Sequence, residues 1–196
     1  MTTRRVALSI SASILSFATW AQAQAPDFDR VYTQSEFAGF YGGISAIYLT
    51  SSDWDEGLGA GLELGYRFVH EDAAALRHGP NLESGYYRIE ADGADFQMIP
   101  LTANYRIAAE VVDHIWLYAG GGAGMAFVEI DPDGLSSGSD QTGTWQLFLG
   151  MEGPINEWAS VRGGYRHMWI DSMRHGDTRI SGDDASIFEL GVNFWY

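Results

Sequence analysis

The 196-residue sequence contains no cysteine and no lysine, and only 5 prolines. Without cysteine there is no disulfide scaffold, no thiolate metal site and no cysteine nucleophile. Without lysine, all 11 basic residues are arginine, set against 26 acidic ones for a net charge of −15. Such a chain lacks the clustered cations that neutralise phosphates, which excludes nucleic acid as a partner. Long apolar runs are missing after the first twenty residues, so no later segment reaches the ~18–20 residues of a membrane-spanning helix. Disorder is excluded by the 46% of residues that are hydrophobic. What abounds is glycine, with 24 residues, and aromatics, with 7 Trp, 10 Tyr and 10 Phe. The length suits one domain.

The N-terminus has the order of an export signal. Arg4 and Arg5 precede a mostly apolar run, Val6 to Trp20, and Ala21-Gln22-Ala23 follows as a small-x-small cleavage site. Residues 1–23 are therefore expected to be a secretory signal peptide, with Ala25 as the alternative cleavage point. Residues 24–36 are expected to be a periplasmic segment, and 37–196 the folded domain.

The rest of the chain alternates with the period of a strand. Eight segments are predicted: Phe37–Thr50, Gly57–Val69, Glu83–Ala91, Asp95–Ala108, Val112–Ile130, Thr142–Gly153, Trp158–Ile170 and Ala185–Tyr196. Glu71–Arg77 is the one short stretch compatible with a helix. In the second segment Leu58, Leu62, Leu64, Tyr66 and Phe68 share a face opposite Glu63 and Arg67. The fourth sets Ile99, Leu101, Tyr105 and Ile107 against Thr102, Asn104 and Arg106, and the sixth sets Trp145, Leu147, Leu149 and Met151 against Gln146 and Glu152. The glycine- and alanine-rich first and fifth segments leave their parity open.

A half-buried soluble sheet also alternates, so the polar face has to decide. It is expected to gather Glu63, Glu90, Glu152 and Glu189 with Arg67, Arg88, Arg106, Arg162 and Arg166, close to charge balance in a strongly acidic chain. A narrow closed lumen requires that balance, because charges shut away from water must be paired. Aromatic spacing agrees with a membrane span: Trp158 and Trp169 lie 11 residues apart, as do Trp116 and Phe127. At ~3.3 Å per residue and ~40° tilt this climbs roughly 28 Å, near the ~25 Å apolar band of a membrane barrel. The fold expected is all-β: an eight-stranded antiparallel up-and-down transmembrane β-barrel.

Three stretches resemble the small outer-membrane barrels of the OmpA-membrane-domain, opacity and attachment–invasion superfamily. They are Phe37-Ala38-Gly39-Phe40-Tyr41-Gly42-Gly43-Ile44, Leu117-Tyr118-Ala119-Gly120-Gly121-Gly122-Ala123-Gly124 and Arg162-Gly163-Gly164-Tyr165-Arg166. The ending Glu189 to Tyr196 is similar to the insertion signal read by the barrel-assembly machinery, carried here by Gly191, Phe194 and Tyr196. The resemblance implies an integral outer-membrane location, contact with outer-membrane lipid and lipopolysaccharide, and a monomer. It implies a role in envelope integrity and surface interaction, the family hosting adhesins, structural proteins and a few enzymes. In that topology residues 70–81 should be a short periplasmic turn; at about twelve residues they are long for one, and the alternatives are a short helix or an extension of the third strand.

The expected outer loops, Ser51–Glu56, Asp92–Asp95, Glu129–Gln141 and Asp171–Asp184, hold thirteen acidic residues against Arg174 and Arg179. They could meet a host or neighbouring-cell ligand, or hold Ca²⁺ or Mg²⁺ weakly; no cofactor is expected. For catalysis, His167, Ser172 and His175 gather near Asp171 and Asp177, but an odd separation puts His167 and Ser172 on opposite faces of a strand. The alternatives to a structural barrel are a lipid-A-modifying enzyme and a narrow channel for small or apolar solutes.

Overall fold

A computed structural model describes residues 38–51, 56–69, 75–91, 94–132, 138–175, 178–180 and 183–196. The expected signal peptide and periplasmic segment lie outside the described residues. The strands are β1 (Gly39–Ser51), β2 (Gly57–Val69), β3 (Leu76–Ala91), β4 (Ala94–Val112), β5 (Ile115–Pro132), β6 (Gly138–Asn156), β7 (Ala159–Ile170), β8 (Met173–His175), β9 (Thr178–Ile180) and β10 (Asp183–Trp195). Eight of them close into an antiparallel barrel in the order β1-β10-β7-β6-β5-β4-β3-β2, and β8 pairs with β9 as a separate hairpin. Closure gives the strands partners on both sides, which is what a sheet needs where no water can bond its edge.

β4 turns into β5 at Asp113–His114 and β6 into β7 at Glu157–Trp158, both two-residue turns. The longest connection, residues 171–182, lies at the opposite end. Short turns mark the periplasmic end of such a barrel and longer loops the outer end.

Two expectations are corrected. β3 begins at Leu76, seven residues before the segment read from the sequence, so of the alternatives for residues 70–81 the extension of the third strand is the one found, over residues 76–81, and the periplasmic connection shrinks. Leu76 and Arg77, expected in a possible helix, are strand; residues 71–74 lie outside the described residues. At the other end β4, β5 and β6 run to 19, 18 and 19 residues. Asp95, Glu129, Asp131 and Asp140, expected in loops, are therefore strand residues. At ~40° tilt, strands of that length climb roughly 45–48 Å, well past a ~25 Å apolar band.

That overhang changes which side is apolar. Through the lower part of the barrel Leu62, Leu64, Ile107, Leu117, Leu149 and Leu190 face outward and are exposed, while Glu63, Arg106, Glu152 and Glu189 face inward and are buried. Toward the outer end the lumen becomes apolar: Ile47, Leu49, Tyr87, Ile89, Phe96, Met98, Val128, Met168, Ile170 and Ile187 pack into one buried cluster. On the outside at this level stand Arg88, Gln97, Glu129 and Gln141. Above the lipid the solvent outside is water, so the polar face turns outward and the apolar face supplies a core.

Rings collect at both ends of the outward surface. At the periplasmic end Phe40, Tyr66, Phe68, His78 and Tyr105 form a chain with centroids 4.8, 4.8, 5.5 and 5.9 Å apart. Trp158 stacks on Phe194 beside it. Toward the outer end Trp145 and Trp169 stack at 3.6 Å, and Phe188 contacts both Tyr48 and Tyr165. These are the two interfacial belts of a membrane protein. Trp116 is not in them, contrary to its expected place: it lies inside, under the Arg77 guanidinium at 3.7 Å. Its spacing from Phe127 is odd, and within one strand an odd spacing puts two side chains on opposite faces.

Candidate functional site

The lumen holds the chemistry. Arg67 on β2 reaches Glu152 on β6, with Nη2 2.9 Å from Oε2, and Ser160 donates to the other carboxylate oxygen at 2.7 Å. Glu63 accepts from two arginines on different walls, Arg106 of β4 and Arg162 of β7, each at 3.0 Å. Arg162 also binds Glu189, and Arg166 joins Glu189 to Glu83. Tyr41 and Asn81 complete the shell of Glu63. Gln146 links Arg166 to Asn104 through its two amide ends, at 3.0 and 2.7 Å. Four glutamates and four arginines are thus interleaved across the barrel, which offsets the cost of removing each from water.

Space for these side chains comes from small neighbours. The ring of Tyr118 lies under Arg106, with the guanidinium carbon 4.6 Å from its centroid. Its hydroxyl occupies the place where a Cβ on either Gly150 or Gly164 would stand.

Of the residues expected in the lumen, Glu63, Arg67, Arg106, Glu152, Arg162, Arg166 and Glu189 are buried there together. Arg88 is not: it is exposed on the outer face of β3, between the outward Tyr86 and the barrel rim. Its inward neighbours Tyr87 and Ile89 are 1% exposed, because at that height the lumen is apolar. Glu90 follows Arg88 by two residues on β3, but its side chain lies outside the described residues. Arg77, Asn81 and Glu83 on β3 are buried inside and were not expected. The even register of β3 is the more polar at its outer end and the odd one at its periplasmic end, so polarity alone selects the wrong set. Gly191 faces inward against Ser45, while Phe194 and Tyr196 point outward.

The rim residue His167 faces outward. Its Nε2 is 3.1 Å from Asp184 Oδ2 and its Nδ1 3.4 Å from the Tyr165 hydroxyl, which meets Ser186 Oγ at 3.0 Å. Among the described residues no group of three His, Asp or Glu side chains is placed to hold a metal ion.

A closed barrel with an apolar belt, two aromatic rings and a charge-paired interior has its counterpart among known proteins. The model of the outer membrane protein beta-barrel domain matches residues 9–194. The chain belongs to that family. This outer-membrane barrel is integral to the outer membrane, crossing it with strands. Among curated proteins, none matches it in sequence. Among solved structures it is similar to Neisserial surface protein A, with a TM-score of 0.64, 18% identity, 81% of this chain and 98% of that one covered. OprG of Pseudomonas aeruginosa gives 0.53, 13% identity and coverages of 80% and 95%. Ail, the attachment invasion locus protein of Yersinia pestis, gives 0.50, 13% identity and coverages of 80% and 96%. At these identities the likeness concerns the fold.

Proposed function

We propose that this barrel is a sealed structural and surface-interaction protein of the outer membrane, with no open general pore. The observation that carries the reading is the filling of the lumen in two layers, arginine–glutamate pairs below and a buried apolar core above. An eight-stranded barrel has only enough interior for its side chains, and here they are held by partners that lie on opposite walls. The strands that project beyond the lipid carry the loops into the medium, where they can contact a neighbouring or host cell. Ail has been solved in complex with the heparin analogue sucrose octasulfate. The acidic loops of the present chain suit a cationic partner, or one bridged by divalent ions, rather than such a polyanion. Planar-bilayer recording of the refolded barrel tests the seal: the reading expects a flat baseline, and steady unitary conductance would overturn it. Sensitivity of cells to detergent with and without the protein tests the envelope role, and unchanged sensitivity would remove it.

One observation favours a second reading, a lipid-modifying enzyme. The hydrogen-bonded run Ser186, Tyr165, His167 and Asp184 stands on the outer surface near the Trp145–Trp169 pair. Lipid-A mass spectra of cells expressing the protein or its Ser186→Ala variant would then differ.

A further inference from the structure

Three of the buried arginines, Arg67, Arg77 and Arg106, line one small cavity near the periplasmic end of the lumen, beside Tyr66, His78 and Gly79. Its volume is about 10 Å³, and no carboxylate is among the residues that line it. The carboxylates nearby are engaged from other sides. Glu152 pairs with Arg67, and Glu63 is divided between Arg106 and Arg162.

Arg106 supplies the second observation. It is 4% exposed, and its Nη2 is held by Glu63 at 3.0 Å. Its Nε and Nη1 are buried and find no hydrogen-bond acceptor among the described residues. A buried donor left without an acceptor is costly, and more so on a charged group. The cavity is the space in which an acceptor for these two N–H groups fits.

The wall of the barrel is interrupted at the same place. β2 and β3 pair Gly65 with Asn81 and Phe68 with His78, but the two residues between on each strand are not paired. Pro80 has no N–H to give to the ladder, and Gly79 lies so close to the Tyr66 carbonyl that a Cβ would collide with it. Tyr66 and His78 belong to the outward face and Arg67 and Arg77 to the inward one, so the cavity opens at this seam. A small solute can enter there without crossing the ion-paired lumen.

We infer that the cavity is a halide site, which takes one chloride-sized anion from the periplasmic side. Arg106 Nε and Nη1 donate to the ion, and the charges of Arg67 and Arg77 stand beside it. Guanidinium groups held together in a medium of low dielectric repel one another; water leaves that repulsion in place and an anion removes it. A space of about 10 Å³ holds one water-sized particle, which admits a monatomic ion and excludes phosphate or a carboxylate. This goes beyond the sealed-barrel reading and does not depend on it.

The test uses the full barrel refolded in an uncharged detergent, with chlorine NMR line width as the measure of chloride exchanging with a protein site. The folded wild type should broaden the line, and bromide should displace the effect while phosphate should not. Arg106→Gln removes the donors, and Ala108→Val fills the cavity while keeping every arginine. Each should lower the excess width roughly tenfold, as loss of a charge-assisted contact does, and the outward Leu147→Ala should leave it unchanged. Folding of each variant is read from its heat-modifiable mobility. Should neither variant fold, wild-type crystals grown in sodium bromide decide the matter: an anomalous peak is expected within hydrogen-bond reach of Arg106 Nε and Nη1. No excess width in the wild type, equal width in the folded variants, or a cavity without anomalous signal would overturn the site and leave water there. Equal displacement by phosphate would overturn the restriction to a monatomic ion.

Discussion

Arg67 and Glu152 are 2.9 Å apart although their strands, β2 and β6, stand on opposite walls of the barrel. The contact is possible because a guanidinium on a long stem can cross a lumen only one side chain wide. Removing one partner strands the other away from water, a change that costs about 3–5 kcal/mol in buried pairs. Arg67→Met should therefore lower the denaturant midpoint of the folded band markedly in detergent micelles. Adding Glu152→Gln should recover most of the loss, since the neutral amide still accepts from Ser160. A double variant as unstable as the single would show that packing, not the ion pair, holds this region.

The apolar layer above the ion pairs makes a separate prediction. Ile187 and Met168 are fully buried in it, at the level where the outward face is polar. Truncating either to alanine should cost about 2–5 kcal/mol, the range for cavities in soluble cores. Bilayer current should stay at baseline in both variants, because the charge layer beneath still closes the lumen. Current in Ile187→Ala alone would place the seal in the apolar layer.

Tyr118 and Gly164 predict a pairwise effect. A methyl group at 164 would meet the Tyr118 hydroxyl, the movable end of a side chain, and lies 2.9 Å from the carbonyl of Leu149. Gly164→Ala should destabilise the barrel by about 1–3 kcal/mol, as overpacking does. Tyr118→Leu in the same chain should relieve much of that, so the two changes combined should cost less than their sum. Simple additivity would mean that the strand backbone, not the ring, is the obstacle.

Much of this was legible in the sequence because strands report their two environments every other residue. The outward faces of β2, β4, β6 and β10 follow from alternation alone, as Leu62, Leu64, Ile99, Leu147 and Leu190 illustrate. The inversion near the rim was not legible, and it misplaced Arg88. Polarity marks whatever water touches, and along β3 water lies outside at one end while paired charges lie inside at the other. A parity rule applied along the whole strand must fail at one of them. Contacts between strands were also hidden, because Ile99, Phe127 and Gln141 become neighbours only through register, which no local pattern records. The same holds for His167 and Ser186, opposite each other across β7 and β10.

The last residue separates assembly from stability. Tyr196 is 91% exposed, and its backbone N–H donates to the carbonyl of Phe40 at 3.1 Å. A side chain that contacts so little protein adds little to the fold, so Tyr196→Ser should shift the midpoint of the refolded barrel by less than about 1 kcal/mol. Phe194 differs, since its ring stacks on Trp158 at 5.9 Å, and Phe194→Ala should be measurably less stable in vitro. If the terminal aromatic is read by the assembly machinery, Tyr196→Ser should reduce the heat-modifiable form recovered from membranes severalfold while refolding normally from urea. Normal recovery from membranes would leave the terminal ring as an interfacial anchor and move the insertion signal to the residues before it.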